Sequence, residues 1–153
     1  MKRQIGIRIP PKLGAEGIES LANWASSIGI DVIDVPYYND EVKTTLEKSG
    51  LDVGSIDGVG AVGQTKLLSS DDKVRLQAVE SITSQFREIS KLGGRVIFMC
   101  LVPEDFTISR ERAYSIWKET FPAIVEVAEK ENLYIALEGW PGPATYYPTL
   151  GTS

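Results

Sequence analysis

Glu138 ends an apolar run, Leu133-Tyr134-Ile135-Ala136-Leu137, and Gly139-Trp140-Pro141-Gly142-Pro143 follows at once. A run of this kind reads as a strand buried on both faces, as in a parallel sheet. A carboxylate at the C-terminal end of such a strand, with a Gly/Pro loop opening beyond it, is a candidate metal ligand or general base. The simpler alternative is a glutamate hydrogen-bonded to nearby backbone. Arg8 and Asp34 stand near the C-terminal ends of two further strand-like segments. A polar residue on the inner face of a barrel is costly unless it is paired or functional, so these three are the leading site candidates.

What is missing narrows the chemistry. The 153 residues contain no histidine, so neither a His-based triad nor a His-rich metal site can be built from them. One cysteine, Cys100, excludes an internal disulfide and a multi-cysteine zinc site, and fits a reducing cytoplasm. It lies within an apolar strand-like run, where a thiol is a buried, inert group. A formal charge of −5 and a pI near 4.8 argue against a protein built to bind nucleic-acid phosphates. They leave room for a small anionic substrate held by one or two local cations, for which Arg8 and Lys66 are candidates. No run approaches the ~18 apolar residues of a membrane span, and Met1-Lys2-Arg3-Gln4 lacks the apolar stretch of a signal peptide.

The elements that must position these residues alternate strand and helix. Strands are expected near 5–9, 30–35, 51–56, 95–102 and 133–138, within a single domain over 1–153. Ala15–Ile28 places Ile18, Leu21, Ala22, Ala25 and Ile28 on one helical face, with Gly29 after it. Asn39 can cap a short helix with Asp40 and Glu41 in its first turn, ending at Gly50. Gly54 and Ser55 dilute the third strand. The longest helix is expected from an N-cap at Ser70 to Leu92, with a stripe of Val74, Ala78, Ile82, Phe86, Ile89 and Leu92. Ser109 opens a fourth helix, which Pro122 should kink or split.

Strict βα order implies parallel strands joined by right-handed crossovers. A doubly wound sheet and an α/β barrel both fit. The repeat of ~32 residues would give ~250 residues over eight units, the usual size of a barrel, so the chain reads as the N-terminal part of an incomplete (β/α)8 barrel. Side-chain alternation then puts Gly6 and Arg8, Val32 and Asp34, and Tyr134, Ala136 and Glu138 on the inner face, with Leu133, Ile135 and Leu137 toward the helices.

Gly58-Val59-Gly60-Ala61-Val62-Gly63 spells GxGxxG, but a dinucleotide fingerprint needs a helix opening within the motif. Gln64–Ser69 intervenes before any helix signal, and the motif reads as a mobile loop over the strand ends. Asp57, at the end of the third strand, is either a site residue or the start of an Asp-Gly turn, and the turn is favoured. Trp140, between glycine and proline, is a candidate for lining a pocket against a sugar ring. Tyr37-Tyr38 and Tyr146-Tyr147 serve equally as pocket or loop packing. Glu104 is a weaker carboxylate candidate, and Arg110, Glu111 and Arg112 read as the solvated first turn of a helix.

Gly6-Ile7-Arg8-Ile9-Pro10, Ile33-Asp34-Val35-Pro36 and Leu137-Glu138-Gly139-Trp140-Pro141-Gly142-Pro143 resemble the xylose isomerase-like barrels of the sugar phosphate isomerase/epimerase group. The resemblance runs from Ile5 to about Pro148. It implies a divalent metal (Mn, Mg, Co or Zn), commonly held by a Glu, an Asp, a His and a second Glu from successive strands in the second half of the barrel. Glu138 matches the first of these, as ligand and acid/base carboxylate. The implied chemistry moves a proton next to a carbonyl or hydroxyl carbon of a sugar or sugar phosphate. Asp34 falls where many members carry an acidic residue, which implies substrate contact, with Arg8 and Trp140 as the other expected substrate-binding residues. The remaining ligands would lie beyond Ser153, so this segment is not expected to assemble the metal site alone. Two other readings stand beside it. One is a non-catalytic partial-barrel module that pairs with a partner or forms a homo-oligomer to cover an open edge. The other is a related barrel enzyme such as an inosose dehydratase. An apurinic endonuclease, also found in that superfamily, is disfavoured by the acidic balance.

Overall fold

The computed structural model describes residues 4–59, 63–103, 105 and 107–138, with only the backbone for residues 11, 63 and 64. Five strands, β1 (Gly6–Arg8), β2 (Val32–Val35), β3 (Asp52–Ile56), β4 (Val96–Cys100) and β5 (Tyr134–Glu138), form one parallel sheet in the order β1-β2-β3-β4-β5. Each falls inside its expected run. The helices between them are α1 (Pro11–Gly14), α2 (Ile18–Ser27), α3 (Asp40–Lys48), α4 (Gly63–Lys66), α5 (Asp72–Leu92) and α6 (Arg110–Lys130).

The helices end where the chain chemistry stops them. Asn39 caps α3 by accepting the Val42 N–H at 2.9 Å. α5 closes on Gly93 in the left-handed region at φ 96°, which glycine adopts without strain. Its N-cap is Asp71, accepting the Lys73 N–H at 2.8 Å, one residue later than Ser70. α6 is a single helix of 21 residues that contains Pro122, so of the expected kink or split the split does not occur. Pro122 and Lys118, whose carbonyl loses its partner, are both exposed, so water can take the unmatched bond. The one-turn helices α1 and α4 lie in segments read as loops. α4 opens at Gly63, inside the region expected to be irregular, and is too short for an 11-residue periodicity to reveal.

One hydrophobic cluster lies between the sheet and the helices. Ile33, Val35, Ile56, Ile97 and Met99 contribute the sheet's share, meeting Leu21 and Ala25 of α2, Leu46 of α3, Ile82 and Phe86 of α5, and Ile116 and Ile124 of α6. Fully burying a side chain of this size contributes roughly 1.5–3 kcal/mol. Arg75 of α5 is buried yet satisfied. It donates to the Ser69 carbonyl at 2.7 Å, pairs with Asp72 at 2.5 Å and reaches Glu119 of α6 at 3.6 Å. This arginine ties the two longest helices together.

Candidate functional site

Register decides which side chains share a face at the strands' C-terminal ends. Arg8 pairs with Asp34, Ser55 with Val96, Phe98 with Ala136 and Cys100 with Glu138. Residues paired across neighbouring parallel strands project to the same side. Arg8, Asp34, Ser55, Phe98, Cys100 and Glu138 therefore occupy the face opposite the helix-packed Ile33, Val35, Ile56, Ile97 and Met99. Arg8, Asp34 and Glu138 stand on the face that side-chain alternation gave them.

The centre of this face is built on an irregularity. Val32 pairs with Asp52 and Ile33 with Val53, but Val35 pairs with Ile56, so Gly54 and Ser55 together oppose Asp34. The bulge takes the Ser55 N–H out of the ladder, and the Asp34 carboxylate accepts it at 2.7 Å. A Cβ on Gly54 would run into Asp34 Oδ1 and approach Val32 Cγ1 to 3.0 Å. Gly54 and Ser55, which seemed only to weaken the strand, are what make room for Asp34.

Asp57, for which the sequence favours an Asp-Gly turn over a site role, stands within the network. Its N–H continues the ladder by donating to the Val35 carbonyl at 2.8 Å. Its carboxylate accepts from Ser55 Oγ at 2.7 Å and pairs with Arg8 Nε at 3.0 Å. The Asp57 side chain is 16% exposed and that of Arg8 64%. This is a partner for a cation, not a simple turn. The bulge hides the direction of this side chain from the sequence. Counting by twos from Asp52 puts Asp57 on the helix side, and one extra residue moves it to the open face. Arg8 also lies over the Phe98 ring, with Cζ 5.1 Å from its centroid, so one arginine spans from β1 to β4.

Beside this network lies a cleft of about 400 Å³ between the ends of β1 and β2, α1 and the start of α2. Its walls are largely apolar, from Ile9, Ile18, Leu21, Val35 and Val42, with Tyr37 at the second strand's loop. Its charged groups are Arg8, Asp34 and Asp57. Tyr38 points elsewhere, into a smaller cleft with Ile56 and Ile89, and burial followed by the charge of Glu47 pushes its hydroxyl pKa up. Lys66 ends α4. Arg110, Glu111 and Arg112 form the first turn of α6 under the Ser109 cap, which accepts the Arg112 N–H at 3.2 Å. Trp140, Glu104, Tyr146 and Tyr147 lie outside the described residues.

Glu138 sits apart from the Arg8 network, across from Cys100. Burial first, and the Glu138 charge second, push the Cys100 thiol up, which suits an inert neutral group. Among the described residues no group of three or more His, Cys, Asp or Glu side chains is placed to hold a metal ion. One carboxylate beside a protonated thiol does not fit a divalent metal centre, so the described residues do not make one.

No sequence-family model matches the chain, and no curated protein matches it. Solved structures do. D-psicose 3-epimerase from Clostridium cellulolyticum H10, solved with D-tagatose, superposes with a TM-score of 0.68 at 18% identity, over 88% of this chain and 52% of that one. The chain shares its fold with about half of each of these solved structures, a D-psicose 3-epimerase among them. The apo 3-keto-D-glucoside 4-epimerase from E. coli gives 0.69 at 16% identity, over 89% and 56%. Mannonate dehydratase from Streptococcus suis gives 0.68 at 14%, over 90% and 53%. The chain thus spans about half the length of the solved structures it matches, in keeping with five strands of an eight-stranded barrel. No described helix is long and apolar enough to cross a membrane.

Proposed function

We propose that this chain forms the first five strands of a barrel enzyme that isomerises or epimerises a sugar. The observation that supports the reading most is positional. Arg8, Asp34, Asp57 and Glu138 come from four different strand ends and stand on one face, where α/β barrels place their chemistry. In this reading Glu138 moves a proton at the carbon beside a substrate carbonyl, while Arg8 and Asp34 hold the substrate's oxygens, with Trp140 against its ring. In an isomerisation Glu138 would return the proton to the neighbouring carbon; in an epimerisation a second acid, outside the residues described here, would deliver a proton to the opposite face while Glu138 keeps the one it took. Glu138 would also give one donor to a divalent metal, which would polarise the substrate oxygens; the other donors are not among the residues described here. The single cysteine goes with a cytoplasmic location.

The test is isotope exchange by the full-length protein. Ketohexoses and sugar acids are incubated in D₂O with added Mn²⁺ and followed by NMR. Deuterium is expected at the carbon next to the carbonyl of one substrate, lost on Glu138→Gln. A product that has lost water without exchange in the residual substrate would instead indicate a dehydratase of the same fold. No turnover of any sugar would overturn the reading.

The assembly-module reading rests on the edge strand. Tyr134 and Leu137 of β5 are 72% and 50% exposed. Sedimentation of the 153-residue chain tests it: concentration-dependent self-association supports the module, and a monomer across the range removes it.

A further inference from the structure

The cleft at the ends of β1 and β2 is polar at one end only. Arg8, Asp34 and Asp57 meet it where it opens on the strand-end face, whereas Ile9, Ile18, Leu21, Val35 and Val42 line the rest. The charges at the polar end are already answered within the protein. Arg8 pairs with Asp57 at 3.0 Å, and the Asp34 carboxylate accepts the Ser55 N–H at 2.7 Å. Gly14 and Gly17 present bare backbone on the remaining wall, and that backbone is spent as well. The Gly14 N–H donates to the Pro10 carbonyl at 2.9 Å, the Gly17 N–H to the Gly14 carbonyl at 3.3 Å and the Leu21 N–H to the Gly17 carbonyl at 3.2 Å. On the sheet side the Val35 carbonyl accepts the Asp57 N–H at 2.8 Å. A polyol or an ion pushed into this space would leave water for walls that offer it few partners, and each unmatched polar group weakens binding. Carbon loses nothing there and gains by leaving water. The volume, about 400 Å³, falls in the range of small-molecule sites, about 300–1,000 Å³. The cleft is also continuous with the face where α/β barrels place their chemistry.

We infer that this cleft is a subsite for an alkyl or aryl group, and that the ligand of the strand-end face is amphipathic. Its oxygen-bearing end lies beside Asp34 and Asp57, and its apolar end fills the space between β2 and α2. That the oxygen-bearing end is a sugar rests on the proposed function; the apolar subsite does not. On that reading the substrate is a sugar carrying a hydrophobic substituent, and not a bare sugar.

NMR titration of the full-length protein with 1-butanol, 1-hexanol and 1-octanol, and with methyl, butyl and hexyl β-D-glucopyranoside, tests the inference. Each added methylene is expected to tighten binding about threefold in both series until the cleft is full. Ile18→Asp sets a charge on the cleft wall at the first position of α2 and should flatten both series. Should that variant not fold, Tyr37→Asp serves: Tyr37 is half-exposed on the cleft's rim, and the gain per methylene should fall at least by half. A flat series in the unaltered protein means that the full-length chain covers the cleft with its own residues, and overturns the inference. A gain per methylene that survives both substitutions overturns it too. The alcohols carry no sugar, so their series judges the cleft alone, while deuterium exchange into sugars judges the proposed function. Alcohols that follow the expected series in a protein that exchanges no sugar keep the subsite and remove the sugar reading. Exchange together with a flat series does the reverse.

Discussion

The two faces of one sheet obey different rules. On the helix side, Ile33, Val35, Ile56, Ile97 and Met99 are excluded from water, and each is interchangeable in kind with its neighbours. On the open side, Arg8, Asp34, Ser55, Asp57 and Phe98 are individually specified, each by a named partner. The first face is held by volume, the second by geometry. The strands alternate between these two demands at every residue.

The contrast can be broken by substitutions on adjacent residues. Ile97→Ala on the covered face should cost about 2–5 kcal/mol in urea denaturation, whereas Phe98→Ala, one residue along, should cost roughly half as much or less. Equal losses would mean that the open face is packed as a core. Asp57→Ala strips a mostly buried carboxylate from Arg8 and Ser55, and about 1.5–3 kcal/mol should go with it. Gly54→Ala should lose about 1–3 kcal/mol by driving a methyl group into Asp34. Here the sharper measurement is the double-mutant cycle with Asp34→Ala. The two losses should add to less than their sum, by more than about 0.5 kcal/mol, because each removes one side of the same contact. Strict additivity would dissociate Gly54 from the bulge. Leu137→Ala on β5 should cost the least, about 1 kcal/mol or less, since that side chain is already half exposed. A loss as large as that of Ile97→Ala would show that something covers β5 in solution.

Most of the fold could be read from the sequence because its signals are periodic. The apolar alternation in Val32–Val35 and Val96–Cys100 and the 3.6-residue stripe of Ala78, Ile82, Phe86 and Ile89 report burial directly. Arg8, Asp34 and Glu138 were legible for the same reason, since their position follows from counting along a regular strand. Asp57 was legible only as a choice between a site residue and an Asp-Gly turn, because the bulge at Gly54-Ser55 breaks the count just before it and hides the face it takes. Arg75 escaped notice, as a buried arginine leaves no mark on a hydrophobic stripe until the opposing Glu119 is placed beside it. The continuity of α6 through Pro122 was decided by solvent at the outer surface, which periodicity does not record.

The sheet order also sets a schedule. Every described strand pairs with the one before it in sequence, so no pairing waits for a distant segment to arrive. A chain emerging N-terminus first can lay down β1 against β2, add β3, and continue by accretion at a single growing edge. The Arg8 assembly comes together in the same order: its anchor Asp57 is delivered by the third strand and its platform Phe98 by the fourth. The Arg8–Asp57–Phe98 assembly would thus be complete before Glu138 is synthesised, so one half of the open face matures ahead of the other.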